Sequence, residues 1–386
     1  MYKNEHFSIS LEGVKNFISI SFICGWLLPK ISVGGFNVGI QEIAALLLIC
    51  YRYKINRIIL RIFFADLFFA FFLFFLGIFY LIKNDIEGFL IGGRTLLFVV
   101  AALSFTGFEY FQMQKILKVV IILYLTFFFL SITRIILNIL VNPFDIINFF
   151  YGSDSYRIRS PFEPEGAASS QVPIGYMLAL ILCIPSVMGS NYKKIVFMLS
   201  AIGTTSRASI LSIVIVYAKK INVKKISAIF AIILLILLSY IVFLKSFTAN
   251  EGELDGSAGK RLILYSNSVQ IMLENPESFF LGFGLSSASL SAATGEGFYE
   301  SFIVNSFMQG GLILLLGSIW ILIKSIYYDY KYKIYSISIV ILLGNAIGGS
   351  NYFSMFAYPL MVLIISFAIK KQNKLSIEKN TALNNI

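Results

Sequence analysis

Histidine, cysteine and charge are scarce in this chain, and each scarcity excludes a class of site or protein. The only histidine is His6, close to the N-terminus, so no loop can hold a His-built metal site or a Ser-His-Asp triad. The three cysteines, Cys24, Cys50 and Cys183, all lie inside apolar segments, which is typical of small core residues and not of a disulfide or metal set. We therefore expect no metal and no other cofactor.

Charged residues make up only 13% of the sequence, whereas 58% of the residues are hydrophobic and the mean hydropathy is +0.83. This composition excludes a soluble domain. At least nine apolar stretches approach or reach the length that crosses a bilayer, among them Ile58–Ile82, Ile116–Ile139, Ile226–Leu244, Ile303–Ile323 and Met355–Ile369. The sequence therefore predicts a single membrane domain over residues 1–386, an all-α polytopic integral membrane protein whose partner is the lipid bilayer.

The placement of lysine and arginine predicts the sidedness of the chain. A net charge of +11 could suggest a nucleic-acid partner, but these residues lie at helix ends and not in one patch, as the positive-inside rule expects. We place the N-terminus in the cytoplasm and interpret residues 195–218 as a hairpin that returns to its own side. This puts 21 of the 31 Lys and Arg residues inside, whereas a single crossing would leave 13 there. The prediction is about ten full transmembrane helices plus this re-entrant hairpin, about 12 membrane segments in all, with both termini cytoplasmic.

The hairpin also has local support. Its two halves are each too short to span, since a span needs about 20 residues. Between them lies Gly203-Thr204-Thr205-Ser206-Arg207, a helix breaker followed by hydroxyl side chains that can cap a second half-helix. Irregular backbone at membrane depth requires burial in protein or a wet cavity. We expect Arg207 to point into an outward-open cavity; a kinked helix with a structurally paired Arg207 is the alternative.

Two long loops, about 142–171 and 245–301, face outward in this topology and hold half of the acidic residues. Arg157 and Arg159 precede a stiff Pro-containing segment in the first loop. In the second, Arg261 opens an amphipathic stretch that fits a helix lying on the outer surface, with apolar positions at Leu262, Leu264, Tyr265, Val269, Met272 and Leu273. A guanidinium group can grip a diphosphate at two points without a metal. The alternative is that these arginines neutralise nearby carboxylates.

Glu300 lies where the second loop re-enters the membrane, directly before an apolar helix. A carboxylate at such an edge is partly desolvated, which suits a general base. A charge that complements the N-terminal end of the helix dipole is the alternative explanation.

The order of these segments resembles the O-antigen polymerase and ligase superfamily, over about residues 150–325. The resemblance rests on Arg159-Ser160-Pro161-Phe162-Glu163-Pro164, Thr205-Ser206-Arg207-Ala208, Gly259-Lys260-Arg261, Asn275-Pro276, Gly282-Phe283-Gly284, and Glu300 through Gly310-Gly311. Ligases of the superfamily are expected to carry a histidine near the positions that Glu300 and Asn305 occupy here. Because this chain has none there, the resemblance favours the Wzy-type polysaccharide polymerase branch.

This resemblance implies a multi-pass protein of the bacterial inner membrane that acts on a polyprenyl-diphosphate-linked oligosaccharide at the outer leaflet. The reaction would be a metal-independent, inverting glycosyl transfer that joins repeat units of O-antigen or capsular polysaccharide. Glu300 would be the base, and Arg157, Arg159, Arg207 and Arg261 would bind the diphosphate. A flippase and a chain-length regulator are the implied protein partners, and no nucleic acid is expected.

An O-antigen ligase and a lipid-linked glycan transporter or flippase are the alternatives. A broken hairpin would also suit a transporter, and Asp66 inside an apolar helix is the best transporter-like feature. Asp66 lies about one turn from Arg61, however, and a structural pair of these two near the helix end is the simpler interpretation. The chain shows no inverted repeat, and its polar residues concentrate on one face of the membrane.

Overall fold

The computed structural model describes residues 11–25, 31–33, 36–51, 56–141, 180–182, 194–196, 199, 257–295, 301–332 and 357–384, and these are nearly all helical. The helices are α1 (Leu11–Cys24), α2 (Ile40–Cys50), α3 (Arg57–Leu60), α4 (Phe64–Ile82), α5 (Ile86–Leu103), α6 (Tyr110–Val141), α7 (Ser257–Glu274), α8 (Pro276–Leu281), α9 (Ser287–Thr294), α10 (Phe302–Tyr332) and α11 (Tyr358–Asn384). Short 3₁₀ turns cover Arg61–Phe63 and Ser104–Gly107. Within the described ranges the one departure from the helical class is an antiparallel pair, β1 (Ile31–Val33) with β2 (Phe36–Val38).

Four helices of the described part are long and apolar enough to cross a membrane: Arg61–Ile82, Ile86–Gly107, Tyr110–Leu137 and Phe302–Tyr327. Three of them match apolar stretches chosen from the sequence, so the prediction of a helical membrane protein is confirmed. Of the stretch predicted at Met355–Ile369, the described part from Tyr358 onward belongs to α11, which is not among the four. The stretch Ile226–Leu244, the loop 142–171 and nearly all of the hairpin 195–218 lie outside the described residues.

Helix α4 shows why these helices need a lipid environment. One side of it carries a continuous apolar stripe of exposed side chains at helical spacing: Phe64, Phe68, Phe71, Phe75 and Ile82, of which Ile82 is 80% exposed. The opposite side, which includes Ala65, Ala70 and Leu73, is buried. A soluble protein rarely leaves an apolar stripe of this size in water, whereas lipid tails solvate it at no cost.

Small residues let α4 and α5 pack closely. Gly88 and Gly92 are spaced four residues apart on α5, in the pattern that brings membrane helices together. A Cβ atom added at Gly92 would lie 2.7 Å from the Leu73 carbonyl oxygen of α4. Any larger residue at Gly92 would therefore push the two helices apart.

The first half of α11 forms the centre of the bundle. Its residues from Tyr358 to Phe367 are almost all buried, which is the pattern of a helix surrounded by other helices. The Phe367 ring stacks on the Tyr110 ring of α6 at 5.0 Å between centroids. Elsewhere in the core, Phe22 of α1 contacts Phe98 of α5 edge to face at 5.5 Å. This packing fixes the helices that carry the site described next.

Candidate functional site

The structure describes only part of the predicted site. Glu300, Arg157, Arg159 and Arg207 lie outside the described residues. Arg261 lies in α7, which begins four residues before it, at Ser257. Helix α10 begins at Phe302, and the Ser301 carbonyl oxygen accepts the first helical hydrogen bond, from Asn305 N–H at 2.8 Å. The described chain therefore resumes one residue after the candidate base.

Helix α7 confirms the helix predicted after Arg261, and it buries only part of the predicted apolar face against protein. Met272 is fully buried, and so is Ser268 one turn earlier. Val269 and Leu273, which were assigned to the same apolar face, are 49% and 66% exposed. The helix packs on α8 and α10 along the Ser268–Met272 line, which the apolar pattern alone does not distinguish. Asn275 then ends α7, and Pro276 begins α8 at the position where proline suits a helix best.

The Gly-x-Gly elbow after α8 packs directly on a break in α10. That break lies at Gly310 and Gly311, whose backbone angles are not helical, with φ 63° at Gly311. A Cβ atom at Gly282 would lie 2.3 Å from the Gln309 carbonyl carbon, and one at Gly311 would lie 2.3 Å from the Phe280 carbonyl carbon. The two glycine pairs that the sequence analysis singled out thus contact each other backbone to backbone. Only glycine permits this approach from both sides.

Hydrogen bonds join the elbow to the carbonyl groups that the break releases. Phe283 N–H donates to the Met308 carbonyl at 2.9 Å, and Gly284 N–H donates to the Gln309 carbonyl at 3.3 Å. The Gln309 side chain donates in turn to the Leu285 carbonyl at 2.9 Å, and Asn305 donates to Gln309 Oε1 at 2.9 Å. The loop therefore supplies the partners that the broken helix lacks, which is how membrane proteins accommodate irregular backbone.

Two residues from α4 and the α4–α5 turn hold the elbow from the opposite side. The buried Tyr80 hydroxyl lies 2.7 Å from both the Leu281 and the Gly282 carbonyl oxygens. Asp85 Oδ2 accepts from the Ser289 hydroxyl at 3.0 Å and from Ser286 N–H at 3.4 Å. We call this assembly the elbow cluster; it comprises Tyr80, Asp85, residues 281–289 and residues 305–311.

A small apolar core shares Phe307 and Met308 with the elbow cluster and joins it to α7. Met272 of α7, Leu290 of α9, and Phe307 and Met308 of α10 are buried together. Phe279 of α8 contacts Phe307 edge to face at 5.9 Å between centroids. Position 261 lies 11 residues before Met272, which is about 16 Å along the helix and close to the same helical register. The α7 backbone thus connects the arginine position to the break in α10.

Two pairs of opposite charges lie largely buried between helices. Lys324 Nζ of α10 lies 2.5 Å from Asp66 Oδ1, and the Tyr358 hydroxyl of α11 donates to Asp66 Oδ2 at 3.3 Å. The sequence predicted Arg61 as the structural partner of Asp66; the cation in contact is Lys324, and the Arg61 side chain is exposed. Arg94 of α5 similarly pairs with Glu42 of α2. Charges inside a membrane bundle pair in this way because isolated ones are costly.

Sequence reasoning missed Tyr80, Asp85, Lys324 and Arg94. Asp85 had a local signal, since Asp directly before an apolar run is a helix N-cap, and its Oδ1 does accept from Gly88 N–H at 2.8 Å. Nothing local signals its contacts with residues about 200 positions later. Among the residues that the structure describes, no group of three or more His, Cys, Asp or Glu side chains could hold a metal ion.

The elbow cluster provides a fixed support, not a reactive centre by itself. Its polar groups are mostly engaged with one another, and it ties the second long loop to the break in α10 on one side and to α4 and the α4–α5 turn on the other. Comparison with known proteins adds no assignment: no family model matches the chain, and no curated protein matches it.

Proposed function

We propose that the protein is a Wzy-type polysaccharide polymerase, a glycosyltransferase that joins polyprenyl-diphosphate-linked oligosaccharide repeat units at the outer face of a bacterial inner membrane. The topology that belongs to this proposal has about ten full transmembrane helices, a re-entrant hairpin at 195–218, cytoplasmic termini, and outward loops at 142–171 and 245–301. A flippase would supply the lipid-linked repeat, and a chain-length regulator would act on the product.

Contacts between distant stretches support the proposed sidedness. Asp85 follows the end of α4 that the charge distribution places outside, and it contacts Ser289 of the outward loop. At the opposite end, Lys115 lies 3.4 Å from Glu12, and the Lys370 ammonium donates to the Phe108 carbonyl. These last four residues all belong to stretches that the charge distribution places in the cytoplasm. Residues assigned to the same side therefore contact each other at both ends of the bundle.

In the proposed reaction, the acceptor hydroxyl of one lipid-linked repeat attacks the anomeric carbon of another. The Glu300 carboxylate takes the hydroxyl proton, a new glycosidic bond forms with inversion, and the bond to the diphosphate breaks. The arginines at 157, 159, 207 and 261 stabilise the negative charge on the departing polyprenyl diphosphate. This chemistry uses one base and a cluster of cations, which are the residue types that the two outward loops and the hairpin contain.

The packing around the break in α10 supports the proposal independently of the order of the motifs. The Gly282–Gly284 elbow packs on the Gly310–Gly311 break, and α7, which contains Arg261, packs on the same end of α10. Three motifs that are separate in the sequence thereby contact one another around the break in α10, about ten residues after Glu300. An enzyme that must align a base and a diphosphate-binding cation needs a rigid support of this kind.

The transporter alternative keeps one supporting observation, the intramembrane Asp66–Lys324 pair. The pair also contacts Tyr358 and so ties α4, α10 and α11 together, which is a sufficient structural role. The ligase alternative lacks the histidine expected near position 300. Deletion of the gene separates all three: a polymer ladder that collapses to one repeat supports the polymerase, total loss of attached glycan supports the ligase, and lipid-linked repeats trapped inside support the transporter. An unchanged glycan profile would refute all of them.

Glu300→Gln tests the assigned base, with Glu296→Gln as the matched control in the same loop. Loss of a general base typically lowers the rate by about 10²–10⁴-fold, so polymer should nearly vanish while single lipid-linked units accumulate. Glu300→Asp should retain weak activity because its shorter carboxylate still ionises. Protein level in the membrane should be unchanged in all three variants. If Glu300→Gln polymerises normally and Glu296→Gln does not, the base is Glu296.

A further inference from the structure

Asp85 is a buried carboxylate that joins two parts of the chain about 200 residues apart. Oδ1 accepts from Gly88 N–H at 2.8 Å and so caps the start of α5. Oδ2 accepts from the Ser289 hydroxyl at 3.0 Å and from Ser286 N–H at 3.4 Å, at the start of α9. One side chain thus caps a membrane helix with one oxygen and holds the second long loop with the other.

The hydrogen bonds of Ser286 and Ser289 form a chain that ends at Asp85. Ser289 N–H donates to Ser286 Oγ at 3.0 Å, and the Ser286 hydroxyl donates to Ser289 Oγ at 2.8 Å. The Ser289 hydroxyl is then left to donate to Asp85. Because two donors, the Ser289 hydroxyl and Ser286 N–H, converge on Asp85 Oδ2, the position requires a group that only accepts. A carboxylate meets this requirement, whereas an asparagine amide would present an N–H₂ group to two donors.

Further contacts make the attachment specific. A Cβ atom at Gly284 would lie 3.1 Å from Asp85 Oδ2, and Gly284 has a φ of 125°, which favours glycine. Tyr80, five residues before Asp85, holds the carbonyl groups of Leu281 and Gly282. The loop segment 281–289 is therefore held at both of its ends by residues 80 and 85, and at its centre by α10.

We propose that Asp85 is a positioning residue, whose contact with Ser289 keeps the loop that contains Arg261 and Glu300 aligned with the break in α10. Arg261 precedes the held segment, and Glu300 follows it by 11 residues. A shift of about 1 Å in reacting groups can lower a rate by about 10²-fold. The consequence for catalysis rests on the proposed polymerase function, but the alignment of the loop does not.

Two variants separate the loop contact from the helix cap. Asp85→Asn can keep the Oδ1 bond to Gly88 N–H while losing acceptance at Oδ2, and Ser289→Ala removes the loop donor without touching α5. Ser289→Thr keeps the hydroxyl and should behave like the wild type. Glu87→Gln, on an exposed residue of the same α5 turn, is the control for charge removal. All four are made in the full-length chain.

The alignment is measured without reference to activity. Leu285 is 1% exposed and follows the elbow, so a cysteine placed there in a background without native cysteines should react slowly with a maleimide. With the protein in lipid nanodiscs, both faces are open to the reagent and no topology is assumed. Asp85→Asn and Ser289→Ala should each speed labelling at least about tenfold. A cysteine at exposed Ser291 should label at one rate in every variant.

Turnover of a lipid-linked repeat is the second measurement. Asp85→Asn and Ser289→Ala should lower kcat by up to about 10²-fold with little change in KM, because alignment acts on the reaction and not on uniform binding. Unchanged labelling of the Leu285 cysteine in both variants would overturn the proposal, whatever the chain catalyses. Faster labelling in a chain that makes no polymer would uphold the alignment and reject the polymerase. Faster labelling with normal turnover would reject the positioning role.

Discussion

Replacing Gly282 by alanine should displace the elbow from the break in α10. The added Cβ atom would lie 2.3 Å from both the carbon and the oxygen of the Gln309 carbonyl and 2.4 Å from Gly310 N. All three are backbone atoms, so no flexible side chain can move aside. Gly282 also has φ 78° and ψ −173°, a backbone conformation that is essentially restricted to glycine.

The expected cost combines two effects. A residue other than glycine in such a conformation costs about 1–3 kcal/mol. Overpacking against a rigid neighbour costs typically about 1–3 kcal/mol more. The local free energy that holds the elbow closed should therefore fall by about 2–6 kcal/mol, which corresponds to an opening roughly 30-fold more frequent or greater. Relief of the clash would also lengthen the hydrogen bonds from Phe283 and Gly284 to α10.

The assay is the maleimide labelling rate of a cysteine at Leu285, measured in the Gly282→Ala background. Gly295→Ala is the matched control, because Gly295 has the same φ of 78° but no atom within 4 Å of an added Cβ. The Gly295→Ala change should lower local stability by only about 1–2 kcal/mol, and it lies at the end of α9 that is farther from the elbow. We expect much faster labelling for Gly282→Ala than for Gly295→Ala, together with loss of function. Equal labelling rates in the two variants would show that the elbow does not press on the α10 backbone.

Three further predictions concern the diphosphate grip, the topology and the buried ion pair. Arg261→Ala should abolish polymer formation, because each charge-assisted hydrogen bond to the diphosphate contributes roughly 1.5–3 kcal/mol. Arg261→Lys should restore only part of the activity, because a point charge lacks the two-pronged geometry of a guanidinium group. Full activity of the alanine variant at normal protein level would contradict this prediction. A single cysteine at Ser257 should react with an impermeant thiol reagent in intact cells and one at Asn222 should not, whereas labelling of both would reject the topology. Lys324→Met alone should lower the amount of protein in the membrane more than Lys324→Met combined with Asp66→Leu. Removal of one partner from a buried ion pair costs about 3–5 kcal/mol, whereas an apolar pair can replace both partners. If the double variant is as depleted as the single one, Asp66 and Lys324 are not a structural pair.

The helices were predictable because lipid imposes a simple rule. A segment that crosses the bilayer must be long, apolar and helical, and Phe64–Ile82 meets all three conditions on inspection of the sequence. The turn chemistry around Pro276 and the glycines at 282 and 284 was equally visible. What the apolar pattern could not indicate is which apolar side chains of an amphipathic helix face protein: Met272 of α7 is buried, whereas Val269 and Leu273 are exposed.

The partners of the charged residues were not predictable. For Asp66 the sequence suggested Arg61, the nearest cation along the same helix, yet the cation in contact is Lys324, 258 positions later. Proximity in sequence is a poor guide inside a bundle, because the strongest interactions of a buried charge are those across helix interfaces. For the same reason, the contact between Asp85 and Ser289 could not be predicted from the sequence.

The sequence by itself determined that this is a helical membrane protein, because its long segments are too hydrophobic to be stable in a solvent other than lipid. It also located the glycine pairs at 282–284 and 310–311, since paired glycines are a common signal of a turn or a helix break. Only the tertiary structure decided that these two pairs contact each other, and that Tyr80 and Asp85 hold the elbow from the opposite side. Those contacts depend on how separate helices pack, which is set by shape and hydrogen bonding across interfaces and leaves no periodic signal in the chain.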